Sequence, residues 1–132
     1  MSRNLVAGPV LAASLVFLLT GCGGEKVHHL SGTVSFKGKP VPAGHIVFEP
    51  DAAAGNTGGP AFAKIKDGRY DTREEGQGTL GGPHIVQIHG RDGIPRGELV
   101  SGLPLFPDYT TKVDLPKQET TQDFEVPDTA KR

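Results

Sequence analysis

Five histidines, His28, His29, His45, His84 and His89, are the side chains of this 132-residue chain best suited to hold a metal or move a proton near neutral pH. Their spacing limits what they can do. His28 and His29 are adjacent, and His84 and His89 are five apart, so on strands each pair diverges to opposite faces. A metal site therefore needs histidines from two strands, such as His29 with His45 across a first hairpin, and zinc is the ion such a pair would take. The ordinary alternative is a set of solvated strand histidines. Asp67, Asp71, Glu74 and Glu75 could offer hard oxygens to calcium. Asp67-Gly68 is more simply a turn, however, and the spacing matches no EF-hand loop. Other chemistries lack their residues: H-E-x-x-H is absent, and beyond residue 21 the serines are Ser31, Ser35 and Ser101, none in a G-x-S-x-G elbow. Gly76 to Gly82 is followed by no Lys-Ser/Thr, which excludes a P-loop. Without Trp, and with only Tyr70 and Tyr109, stacking platforms for sugars are scarce.

The lone cysteine carries a stronger signal. Arg3 is the only charge before Glu25, and Leu5 to Leu19 is an apolar run with Pro9 inside it. At about 15 residues the run falls short of the roughly 20 that a membrane-spanning helix needs, so it reads as a signal peptide. It ends Leu19-Thr20-Gly21-Cys22, which resembles a bacterial lipobox. The resemblance implies that the Cys22 thiol takes up a diacylglyceryl group through a thioether and that residues 1–21 are removed. Each buried methylene contributes roughly 0.8 kcal/mol, and two or more chains anchor stably. The expected product is tethered to the bilayer of the cell envelope, with inner and outer membrane left open.

Cleavage would remove one cation, leaving 13 Lys plus Arg against 15 Asp plus Glu, a formal charge of −2. No basic patch remains to neutralise phosphates in series, which disfavours nucleic acid as a partner. One cysteine also excludes internal disulfides and thiolate-rich metal sites. Gly and Pro together make 30 residues, about 23%. That lies just under the range where low-complexity disorder leads.

The elements that must position these residues read as strands. Leu30, Gly32, Val34 and Phe36 alternate with more polar neighbours, as a half-buried strand requires. A turn-rich stretch, 37–44, leads to a second run in which Ile46 and Phe48 share a face, and the two runs are expected to pair as a hairpin. Residues 51–60 read as a loop. Ala61 to Lys66, the Asp67-Gly68 turn and Arg69 to Thr72 form a hairpin. After a loop at 74–83 comes the strand His84 to His89. Residues 91–107 show little periodicity, and strands at Thr110 to Leu115 and Asp123 to Val126 follow, with Phe124 and Val126 on one face. No window beyond the signal peptide shows an apolar stripe of helical period. The expectation is an all-β, Ig-like or prealbumin-like β-sandwich of about seven strands.

Leu30 to Phe48, with Gly32, Val34, Gly38, Pro40 and Gly44, is similar to the opening of carboxypeptidase regulatory-like domains, which are transthyretin-like. Asp67-Gly68-Arg69-Tyr70 and Gly82 to Ile88 resemble that family's later hairpin and strand. The likeness implies a non-catalytic envelope module, with no cofactor, for structural or protein-interaction roles. Small-ligand or metal binding through calcium or zinc is the alternative. A transthyretin-like hydrolase comes third, since the chain ends Thr129-Ala130-Lys131-Arg132 where hydroxyisourate hydrolases end Tyr-Arg-Gly-Ser. The expected layout is a signal peptide over 1–21, acylated Cys22 with a linker over 22–26, the sandwich over 27–127 and a disordered tail over 128–132.

Overall fold

In the computed structural model, residues 26–130 are described. The expected signal peptide, the expected lipobox residues Leu19, Thr20 and Gly21, and Cys22 lie outside them. The described chain is all-β and sandwich-like. Its strands are β1 (Leu30–Phe36), β2 (Lys39–Pro40), β3 (Ala43–Pro50), β4 (Ala61–Lys66), β5 (Arg69–Asp71), β6 (Gly82–Arg91), β7 (Tyr109–Leu115), β8 (Thr120–Thr121) and β9 (Phe124–Val126). They form one curled sheet in the order β2-β1-β5-β4-β3-β6-β7, with β8 and β9 lying along β1. Two of the nine strands, β2 and β8, are two-residue elements too short to leave a period-two signal. Helical content among the described residues is three 3₁₀ turns, at Ala52–Ala54, Thr72–Glu75 and Asp128–Ala130. The last of these occupies the start of the expected disordered tail, and Lys37 reaches Asp128 at 3.3 Å.

β1 and β3 do not form the expected hairpin. Lys37 and Gly38 both have positive φ and turn the chain straight back into β2, which pairs Ser35 with Pro40 and Phe36 with Lys39. The chain then leaves this hairpin, and β3 pairs with β4 and β6 instead. Alternation correctly separates the two faces of each strand, but it carries no information on which strand lies beside which. Asp67-Gly68 is the turn its sequence suggests, both residues lying at positive φ as the tight hairpin turn requires. His84 departs from the solvated reading. It is 1% exposed and faces the core with Val86 and Ile88.

Strand β1 belongs to both layers. Ser31 to Thr33 pair antiparallel with β5, while Val34 to Phe36 pair parallel with β9. Along β1 the C-terminal chain keeps one register, from Leu30 opposite Thr120 to Phe36 opposite Val126. Between β8 and β9 it presses on Gly32, where an added Cβ would collide with the Gln122 carbonyl. Tyr70 sits opposite Gly32 in the ladder and donates its hydroxyl to that same carbonyl at 2.6 Å. The Gln122 amide donates to Ser31 O at 2.8 Å, and the Thr33 amide donates to the Asp123 carboxylate at 2.9 Å. Beneath this crossing Phe48, Tyr70 and Phe124 meet at ring-centroid distances of 5.7 to 6.2 Å. Such tilted pairs add about 0.5–1.5 kcal/mol each beyond area burial.

Gly32→Ala is expected to destabilise the protein by about 1–3 kcal/mol, the usual cost of forcing an atom into a packed site. Gly59→Ala, where no neighbour lies within 4 Å of the new Cβ, is the control. Chemical denaturation of both variants checks this, and equal midpoints would contradict the crossing as a constraint.

Candidate functional site

The region read as an aperiodic loop, 91–107, is an ordered finger that continues the β6–β7 hairpin. Arg91 bridges Pro104, the Asp92 amide donates to Leu103 O, and the Gly93 amide donates to Ser101 O. At the tip Arg96 and Leu99 exchange backbone hydrogen bonds of 2.9 and 3.1 Å around Gly97-Glu98. Gly97 has φ of +56°, which suits a two-residue turn with glycine first. The pairs are too few and too irregular to produce alternation in the sequence.

One side chain holds the finger in shape. Asp92 Oδ1 accepts from the Ile94 amide at 2.9 Å and the Leu103 amide at 3.2 Å, while Oδ2 accepts from Arg96 Nη1 at 2.9 Å. The Arg96 hydrogen bond, then the Ile94 amide, holds this carboxyl below its usual range. A side chain at Gly102 would run into the Asp92 carboxylate. Arg91 adds a bond from Nη1 to Gly102 O at 3.0 Å.

The ordered finger presents apolar side chains to solvent. Among the described residues the exposed large hydrophobics are Val27, Ile94, Leu99, Val100 and Leu103, four of them within the ten residues 94–103. Val100 is 76% exposed. Single exposed apolar residues are common on protein surfaces, whereas four within ten residues are a local concentration. The base of the finger is firmly seated. Phe106 is buried against Phe36 at 4.8 Å, and a Cβ at Gly90 would strike the Phe106 ring.

The finger and the N-terminus of the domain leave the sheet from different strands. His28 bridges Thr79 and the Leu30 amide donates to the Thr72 hydroxyl, both beside the start of β1. The finger leaves from the end of β6, which runs in the same direction as β1 through the chain of antiparallel pairings. Through those pairings Thr33 is level with Arg91, so the start of β1 lies about 10 Å along the strand direction from the finger's base and four strands away across the sheet.

At the finger's base the sheet's outer face carries two of the five histidines. His45 on β3 lies directly opposite His89 on β6, and their rings stack at 4.3 Å between centroids with 24° between planes. Asp108, at the foot of the finger, places Oδ1 2.6 Å from His89 Nδ1, and Phe62 flanks His45 at 5.6 Å. Burial, then His89 and Arg91, lower the His45 pKa, while Asp108 works the other way. His29 is elsewhere, 3.3 Å from the Thr72 hydroxyl, so the expected His29/His45 pairing does not form. Strands β5 and β4 separate β1 from β3. The missed partner, His89, belongs to a β3–β6 pairing that no local pattern announces.

The remaining candidates are spent internally. His84 donates from Nδ1 to Gly82 O at 2.8 Å, which leaves Nε2 buried without a partner. Asp71 caps the Arg73 amide at 2.9 Å, and Asp67 belongs to its turn. Tyr70 is a core residue, its ionisation pushed up by burial and by Asp123 and Asp71. An open groove of about 810 Å³ runs beside Thr33, Arg69 and Asp123, and Tyr70 and Asp123 on its wall are engaged in the crossing over β1. Among the described residues no three His, Cys, Asp or Glu side chains are grouped to hold a metal ion.

Removing the Asp92 carboxylate is expected to loosen the finger alone. Asp92→Ala should speed hydrogen exchange at the Ile94 and Leu103 amides, with Val86 and Ile88 in the core unchanged. The depressed carboxyl fixes the pH response: the contribution is complete above the ordinary carboxylate pKa and is lost as pH falls through the lower folded value. Unchanged exchange at neutral pH in the variant would remove Asp92 as the finger's clamp.

No protein-family model matches the chain, and no curated protein sequence matches it.

Proposed function

We propose that this protein is a lipid-anchored envelope protein whose sandwich is a non-catalytic docking module, presenting its finger to a protein partner. The observation that carries the reading is the set of exposed apolar side chains, Ile94, Leu99, Val100 and Leu103, on an ordered hairpin that leaves the sheet four strands away from β1, the strand the tether precedes.

The anchor half of the proposal rests on sequence. Arg3, the apolar run from Leu5 to Leu19, and Leu19-Thr20-Gly21-Cys22 supply the three parts of a lipoprotein signal. A chain of net charge −2 after cleavage gains little from anionic lipid headgroups, so acyl chains are what would hold it at the membrane. The likeness of Leu30 to Phe48 to carboxypeptidase regulatory-like domains fits the same reading, since its glycines and apolar positions serve turns and core.

Rigidity favours the docking role. A finger already ordered by Asp92 loses less conformational entropy on binding than a mobile loop, so more of the burial of its apolar residues appears as affinity.

Two measurements test the two halves. Cys22→Ser is expected to abolish the lipid mass increment and detergent-phase partitioning, and a wild-type protein lacking both would end the anchor reading. A photo-crosslinking residue at position 100 is expected to give discrete protein adducts in intact membranes, while one at the exposed residue Glu74, away from the finger, does not. Adducts to lipid alone from position 100 would overturn the docking role.

A further inference from the structure

We propose that His45 and His89 form a two-imidazole site for a nitrogen-preferring divalent transition metal, copper(II) or zinc(II), with Asp108 orienting His89 from behind. The inference is independent of the docking role, because it concerns the sheet face below the finger and uses none of the finger's exposed apolar residues.

Strand pairing supports it first. The two residues are direct cross-strand partners, so their backbones are fixed by the β3–β6 ladder, the longest pairing in the sheet. Imidazole nitrogens bind zinc at about 2.0–2.1 Å, so two that share one ion lie no more than about 4.2 Å apart. The stacked rings, with centroids 4.3 Å apart, direct their in-plane nitrogen lone pairs side by side, so the His45 ring must turn out of the stack to meet an ion held in the plane of His89. The direct cross-strand pairing keeps the two side chains within reach of one ion.

The second support is the Asp108 carboxylate. A metal-bound histidine commonly gives its other ring N–H to a carboxylate, which fixes the tautomer and makes the free nitrogen a better donor. Asp108 Oδ1 sits 2.6 Å from His89 Nδ1, which leaves Nε2 as the nitrogen for the ion. No hydrogen bond to either His45 nitrogen occurs among those of the described residues that would have to be given up. Arg91 is the neighbouring cation that opposes a bound ion, and Asp108 offsets it. With only two protein ligands, water completes the shell. The site is therefore an exchangeable one, unlike a closed four-ligand structural site.

Imidazole suits copper and zinc, whereas calcium takes oxygen ligands, and divalent affinities rise to copper and fall at zinc. Calorimetric titration of the full chain in detergent micelles is expected to give saturable binding of one ion per chain, tighter for copper(II) than zinc(II), with no heat from calcium. His45→Ala and His89→Ala should each weaken it about tenfold or more. Asp108→Asn, at a position 71% exposed where folding is not at stake, should weaken it about tenfold, at the lower end of what loss of an orienting carboxylate costs. A chain with His28→Ala and His29→Ala should bind as the wild type does. Absence of saturable binding by either metal, or undiminished binding by the His45→Ala/His89→Ala double variant, would overturn the site. Loss of binding on changing His28 and His29 instead would assign the ion to the N-terminal pair and overturn it equally.

Discussion

The Gln122 carbonyl occupies the space that a side chain at position 32 would fill, and the Tyr70 hydroxyl donates to it from the opposite side of Gly32. That close approach lets the C-terminal segment cross β1 and lie along both halves of it in one register. β1 can then join two layers: its first half continues into β5, β4, β3 and β6, and its second half carries β2 and β9. The core depends on this closure. Phe124 and Val126 are buried only because β9 is held beside Val34 and Phe36, and Phe124 completes the aromatic group with Phe48 and Tyr70.

Which face of each strand is buried was legible in the residues. Ile46 and Phe48, Val86 and Ile88, and Phe124 and Val126 point inward as their period of two requires. The Asp67-Gly68 turn was legible too, since two adjacent residues at positive φ demand such a pair. Neighbourhood was not legible. Period two assigns a residue to a face, but a pairing such as β3 with β6 brings together segments about 40 residues apart and is decided by burial over the whole sheet. That is why His45 meets His89 rather than His29.

The finger shows a second limit of the same kind. Its backbone pairs are bridges between single residues, and its shape comes from one carboxylate that accepts two amides and a guanidinium. Such a clamp leaves only a Gly- and Pro-rich composition in the sequence, which mobile loops share. His84 is the converse case. A polar residue at an inward position read as solvated, yet it is buried with its Nδ1 bonded to Gly82 O.

The two candidate surfaces share one support and differ in what they expose. Asp92 closes the finger at its base, and Asp108, where the finger returns to the sheet, reaches back to His89. An ion held between His45 and His89 would make that return contact firmer, because a metal-bound imidazole donates more strongly to its carboxylate. The foot of the finger would then be fixed at both strands, by Asp92 after β6 and by Asp108 before β7. Coupling of this kind needs no change of fold. It follows from placing an orienting carboxylate on the segment that also carries the exposed apolar side chains.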